Sequence, residues 1–227
     1  MNKNQNLTGI IFGATGNIGE KLTLKLAKKN CNLIIHGRTK EKLLILNDKL
    51  KKINQNVTLL QCDLSKFNEI PKLGGVITQK YEKIDFFVSL ISVIKKLCPL
   101  TDLDYEEWDK LINLNLSTNW KILKSIEPLL LKSKKSKIFF LSNELISKGY
   151  PYFHAYSVAK AGLQAMTKIY SREKEKFQVE IRMINLSSIK VGLLGKFFSN
   201  VTCEEKKDLE KKIDLIVNNI TNQKPLL

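Results

Sequence analysis

The chain has 227 residues, 43% of them hydrophobic and spread along its length, which suits one domain with a substantial core. Its formal charge of +16 is almost all lysine, with Arg38, Arg172 and Arg182 the three arginines. That balance describes a solvated basic surface and not the arginine-rich face that reads bases and phosphates, so no specific nucleic-acid partner is expected. The longest apolar runs, such as Ile84 to Ile94, fall short of the roughly 20 residues that span a bilayer, so no membrane association is expected. The Asn-rich start shows neither a signal nor a transit pattern, so the expected compartment is the cytoplasm, or the matrix or stroma of an organelle that encodes the chain. Cys31, Cys62, Cys98 and Cys203 fit neither a zinc set nor a CxxC pair, and no metal site is expected.

In chain order, apolar runs alternate with longer amphipathic stretches. The expected elements are strand Leu7 to Phe12, helix Asn17 to Lys29, strand Asn32 to His36, helix Lys40 to Lys52 and strand Val57 to Cys62. A short helix follows, then strand Ile84 to Ser89 and a long helix from about Tyr105 to Lys132, which Pro128 should kink or shorten. Strand Lys137 to Leu141, helix His154 to Lys176, strand Val179 to Asn185 and a charged helix from about Glu204 to Asn219 complete the pattern. This alternation predicts an α/β fold: a doubly wound parallel sheet of Rossmann type in three α-β-α layers, with six strands. Residues 1–227 are read as one dinucleotide-binding domain, with 187–227 as its variable, substrate-side C-terminal part.

The first strand runs into Gly13-Ala14-Thr15-Gly16-Asn17-Ile18-Gly19, with glycines in GxxGxxG spacing directly before a helix. Glycine permits the tight turn and lets backbone approach a pyrophosphate, while the helix N-terminus offers it free N–H groups and a positive dipole end. The second strand ends at His36-Gly37-Arg38. A carboxylate there binds the ribose 2′-OH of NAD, whereas an arginine accommodates the 2′-phosphate of NADP, so Gly37 and Arg38 favour NADP over NAD. Asp63, after the third strand, can accept from an adenine amino group or cap the helix that follows, and the two roles are compatible.

Tyr156 and Lys160 stand at i and i+4 on one helix face. A lysine cation near a phenol favours the phenolate, which would let Tyr156 exchange a proton with a carbonyl or alcohol oxygen near neutral pH. Tyr170 and Lys174 repeat the spacing, but they lie about 21 Å further along the same helix at 1.5 Å per residue, away from the strand ends where ligands bind.

Together these residues resemble the short-chain dehydrogenase/reductase family, over about Leu7 to Asn185. The glycine turn is similar to the family's TGxxGxxG form with Phe12 in place of the threonine, Asp63 matches its adenine-contacting aspartate, and Tyr156 with Lys160 matches its catalytic pair. The resemblance implies that Lys160 also binds the nicotinamide ribose and that Asn115 holds a water in the proton relay. It adds Leu64 and Ser89 to Gly13, Thr15, Gly16, Asn17, Ile18, Gly19, Arg38, Asp63, Tyr156 and Lys160 as cofactor contacts.

The departures from the family are specific. Ser89-Leu90-Ile91-Ser92 replaces its Asn-Asn-Ala-Gly, and Ser188-Ile189 its Pro-Gly. Asn143 stands where its substrate-orienting serine lies, with Ser142 beside it, and either can donate to a carbonyl oxygen. Its last strand has no counterpart in Asn219 to Leu227, so the usual seventh strand is expected to be missing.

The resemblance implies hydride transfer between NADP(H) and a small-molecule carbonyl or alcohol. Tyr156, Lys160, Asn115 and Ser142 would be the catalytic set, in a homo-oligomer built on the helices carrying Asn115 and Tyr156. Leu193, Leu194, Phe197 and Phe198 suit an apolar part of a substrate, a core or an oligomer contact. The alternative is a degenerate relative that keeps the fold as a structural or regulatory subunit.

Overall fold

A computed structural model describes residues 6–54, 56–143, 149–186 and 202–222. The strands are β1 (Thr8–Phe12), β2 (Asn32–Gly37), β3 (Val57–Gln61), β4 (Phe86–Ser89), β5 (Ser136–Asn143) and β6 (Val179–Leu186). The helices are α1 (Asn17–Ala27), α2 (Lys40–Lys51), α3 (Lys72–Thr78), α4 (Tyr105–Ile112), α5 (Thr118–Leu131), α6 (His154–Glu173) and α7 (Cys203–Thr221). Among the described residues the strands form one six-stranded sheet in the order β3-β2-β1-β4-β5-β6, every pair parallel. The predicted doubly wound sheet is therefore present. The order reverses between β1 and β4, which opens a crevice above their carboxyl ends.

The strand sequences explain this placement. β1, β4 and β5 are buried along their whole length, as a parallel sheet covered on both faces requires. Ile11, Leu33, Ile35, Phe139 and Leu141 pack with α1, α2 and α7, while Ile10, Phe12, Ile34, Ile138 and Phe140 pack with α3, α5 and α6. Alternation along each strand thus supplies both outer layers of the three-layer fold.

One helix is built differently from expectation. The predicted long helix is α4 and α5 joined by a π-helical turn at Asn113–Ser117, and the chain stays helical past Pro128 to Leu131. Proline removes only its own N–H, and at Pro128 that loss falls in the last turn of α5. The irregularity sits instead where the helix passes the site, as π-bulges often do. At the other end, α7 starts with a capping box in which Thr202 and Glu205 bond each other's backbone N–H. It packs along α1 through Lys25 and Asp214, 2.6 Å apart, and Lys137 of β5 caps its C-terminus by donating to the Asn222 carbonyl at 2.7 Å. A lysine inside a core strand is thereby satisfied. Ser188, Ile189, Leu193, Leu194, Phe197, Phe198 and residues 223–227 lie outside the described residues.

Candidate active site

At the carboxyl end of β1, Gly13 takes φ +81°, a conformation that favours glycine. The turn closes through Gly16 N–H to the Gly13 carbonyl at 3.1 Å. A Cβ on Gly19 would lie 2.2 Å from that carbonyl oxygen and 2.8 Å from Ala14 Cα, so only glycine lets α1 pack this close to the turn. Gly16 caps α1 without any side-chain bond, leaving the first-turn N–H groups as donors for a ligand. Gly16 and Asn17 are exposed, Gly13 and Thr15 half-buried, and Ile18 and Gly19 buried, so the last two can offer only backbone. Glu20, which would repel an anion here, is paired with Lys49 at 2.6 Å.

Arg38 follows β2 and is exposed. A Cβ on Gly37 would meet Thr15 Cγ2 at 2.7 Å and Leu43 Cγ at 2.8 Å, so packing itself keeps a carboxylate from this position. Asp63 accepts from Ser65 N at 3.0 Å and Ser65 Oγ at 2.8 Å, which closes a local turn; the next helix begins only at Lys72, so Asp63 does not cap it. That backbone bond, helped by the nearby Arg38 charge, holds its carboxyl below the usual range. Leu64 beside it is buried.

One residue joins these strand ends that sequence reasoning passed over. His36 is buried and stacked on Phe12 at 4.8 Å, with Gly13 N–H 3.4 Å from its Nδ1 and the Cys62 carbonyl 3.0 Å from its Nε2. Those contacts select the neutral tautomer with the proton on Nε2, and burial pushes its pKa down to about 4. No periodicity or motif marks such a histidine.

On the other side of the crevice, Tyr156 and Lys160 lie in the first turns of α6, both buried. The Tyr156 hydroxyl is 3.1 Å from Ser92 Oγ. Lys160 Nζ donates to the Ile91 carbonyl at 2.8 Å and the Leu141 carbonyl at 3.1 Å, and sits 5.9 Å from the Tyr156 ring centre. Asn115, in the π-helical turn, accepts from Val93 N at 2.8 Å and donates to the carbonyls of Val93 and Leu111 at 2.9 Å each.

These contacts correct two expectations. Burial raises the Tyr156 phenol instead of the lysine lowering it; the Ser92 bond pulls the other way. Lys160 is itself depressed to about 7 by burial, so its charge is weakened where it was expected to act. The Asn115 side chain is engaged by the loop after β4, where it braces backbone, and its own carbonyl accepts from Asn119 at 2.9 Å. Ser89 is buried and donates to Asn119 at 2.5 Å, so its hydroxyl proton is already engaged. The second match, Tyr170 and Lys174, converges on Glu127 at 2.9 and 2.7 Å and plays no part here.

At the end of β5, Ile138 and Phe140 face the layer of α6 while Phe139 and Leu141 face that of α1. Alternation therefore puts Ser142 on the side of Tyr156 and Asn143 on the opposite side. Among the described residues no three His, Cys, Asp or Glu side chains gather as metal ligands, and no helix is long and apolar enough to cross a membrane.

The pattern of the short chain dehydrogenases matches residues 8–202, most of the chain. The chain belongs to the short-chain dehydrogenase family. It is thus a member of a family of NAD(P)-dependent oxidoreductases. Among its relatives, a 3-oxoacyl-[acyl-carrier-protein] reductase of Rickettsia bellii is 26% identical over 201 residues, 88% of this chain and 78% of that protein. Dehydrogenase/reductase SDR family member 4 of the mouse is 23% identical, over 88% of this chain and 70% of its own. Among solved structures, a short chain dehydrogenase of Salmonella enterica serovar Typhi superposes with a TM-score of 0.87 at 19% identity, over 95% of this chain and 90% of that one. A metagenomic short-chain oxidoreductase solved with NADP gives 0.79 at 20% identity, over 93% and 90%. These solved structures thus share the fold at low identity.

Proposed function

We propose that this family member uses NADP(H) to reduce a small-molecule carbonyl, or to oxidise the matching alcohol, with Tyr156 as acid and base. The observation that carries the cofactor choice is Gly37 followed by Arg38: packing against Thr15 and Leu43 excludes a carboxylate, and a guanidinium stands next in its place. The glycine turn fits the rest of the group, because Gly16 caps α1 with no side chain in the way of an anion. When bound, the nicotinamide supplies or takes the hydride, and the protein supplies orientation and electrostatics. The reductase name of the Rickettsia relative and the NADP bound by the metagenomic neighbour agree with this reading.

Each remaining role follows from position. Gly13, Thr15, Gly16 and Asn17 line the phosphate turn, with Ile18 and Gly19 contributing backbone N–H. Asp63 and Leu64 border the adenine side, and Ser89 contributes through backbone only. In the reducing direction Tyr156 gives its proton to the carbonyl oxygen as the carbon accepts hydride, and Ser142 polarises that oxygen. Lys160 orients the ribose, and Asn115 fixes the loop beneath it. Trp120, Val158 and Ile169 are about half exposed on α5 and α6. Apolar surface there supports a homo-oligomer, which light scattering on a sizing column tests.

The test of the function is a titration with NADPH and NADH followed by a screen of carbonyl compounds. Tighter binding of NADPH, and NADPH oxidation that Tyr156→Phe abolishes, is the expected result. Absence of binding by either nucleotide at millimolar concentration would end the proposal.

A further inference from the structure

Three consecutive residues after β4 each hold one of the catalytic candidates. Ile91 offers its carbonyl to Lys160, Ser92 its hydroxyl to Tyr156, and Val93 its N–H and carbonyl to Asn115. Of these contacts, the one from Ser92 meets the atom that would exchange the proton. Ser92 takes the place of the glycine in the family's Asn-Asn-Ala-Gly, so a hydroxyl stands where that pattern has no side chain.

We propose that Ser92 is a positioning residue for proton transfer, directing the Tyr156 proton toward the substrate and donating to the tyrosine oxygen once that proton has left. It rests on the reading of Tyr156 as the acid. In the reducing direction the Tyr156 O–H bond breaks and its proton passes to the carbonyl oxygen, while a reduced nicotinamide bound at the glycine turn would supply the hydride to the carbonyl carbon. The products are an alcohol, the oxidised nicotinamide and a tyrosinate. The contact allows either oxygen to donate; when Ser92 donates to Tyr156, the phenol's own proton is left for a substrate oxygen. After transfer the same bond becomes a charge-assisted one, which is stronger than its neutral form.

Two features support this role for the serine. Lys160 is bound by two backbone carbonyls and lies 5.9 Å from the phenol ring centre, and burial lowers its affinity for a proton, so its cation gives the tyrosinate reduced support. Ser92 is also preorganised: its neighbours on both sides are hydrogen-bonded to helical side chains, so its hydroxyl meets Tyr156 without reordering the loop. The direction in which the Ser92 bond moves the phenol, opposite to burial, agrees with this role.

The experiment compares wild type, Ser92→Ala and Ser92→Thr in two readouts. The first is the titration of Tyr156, followed by NMR of tyrosine labelled at Cζ and assigned with Tyr156→Phe. The second is the pH profile of kcat with NADPH and the best carbonyl compound from the screen. Ser92→Ala is expected to move the phenol titration upward and to lower kcat about tenfold, with NADPH affinity unchanged, and Ser92→Thr to restore both. A phenol that titrates at the wild-type pH in Ser92→Ala, with kcat unaltered, overturns the proposal and leaves Tyr156 as the acid. If wild type oxidises no NADPH with any carbonyl, the role of Tyr156 falls and the proposal falls with it.

Discussion

The two sides of the crevice are built on opposite principles. On the β1–β3 side the polar groups that would meet a ligand are backbone N–H groups of α1 and an exposed arginine, presented by glycines whose missing Cβ atoms are required by packing. On the β4–β6 side the groups that would do chemistry are buried side chains, three of which, Tyr156, Lys160 and Asn115, are tied to the segment Ile91 to Val93. A phosphate site can stand open because water satisfies its donors until a ligand comes. A proton-transfer site has its side chains fixed beforehand, since misplacement by an ångström is costly to rate.

Substitutions can break or sharpen that contrast. The largest effect belongs to Tyr156→Phe, expected to lower kcat by about 10²–10⁴-fold while NADPH binds as in wild type; weakened binding would show that the two sides are coupled. Gly19→Ala forces a Cβ to within 2.2 Å of the Gly13 carbonyl. It should destabilise the fold by roughly 1–3 kcal/mol in urea unfolding and abolish NADPH binding. Next comes Arg38→Ala, where loss of a charged hydrogen bond of about 1.5–3 kcal/mol weakens NADPH about ten- to hundredfold and leaves NADH unchanged.

The smallest effect is on stability against pH. Lys160 titrates near 7 when folded, below its ordinary 10.5, so between those values the unfolded chain binds more protons. Its contribution therefore grows as pH rises from about 7 to 10.5, and its full penalty is present below that window. Lys160→Met should flatten this slope in melting curves taken across the window.

The contrast also explains what the sequence revealed. Strands buried on both faces read as apolar runs, and the glycine turn and Arg38 occupy fixed places after the first two, so the doubly wound parallel sheet was legible. Tyr156 and Lys160 were legible as a helical pair, but not their electrostatics, because burial depends on what the fold lays over them. Ser92 in a loop, His36 at a strand end and the π-helical turn around Asn115 follow no period, and their partners are distant in the chain. Ser142 and Asn143 became distinguishable once neighbouring residues of β5 had been assigned to opposite layers.

The most direct test of the central claim is a titration by nicotinamide fluorescence of wild type and Arg38→Ala with NADPH and with NADH. Tighter binding of NADPH by wild type, reduced by Arg38→Ala to the level of NADH, is the predicted result. Equal binding of the two nucleotides by wild type, or a preference for NADPH that survives Arg38→Ala, would contradict the assignment of the β2 end as a 2′-phosphate site.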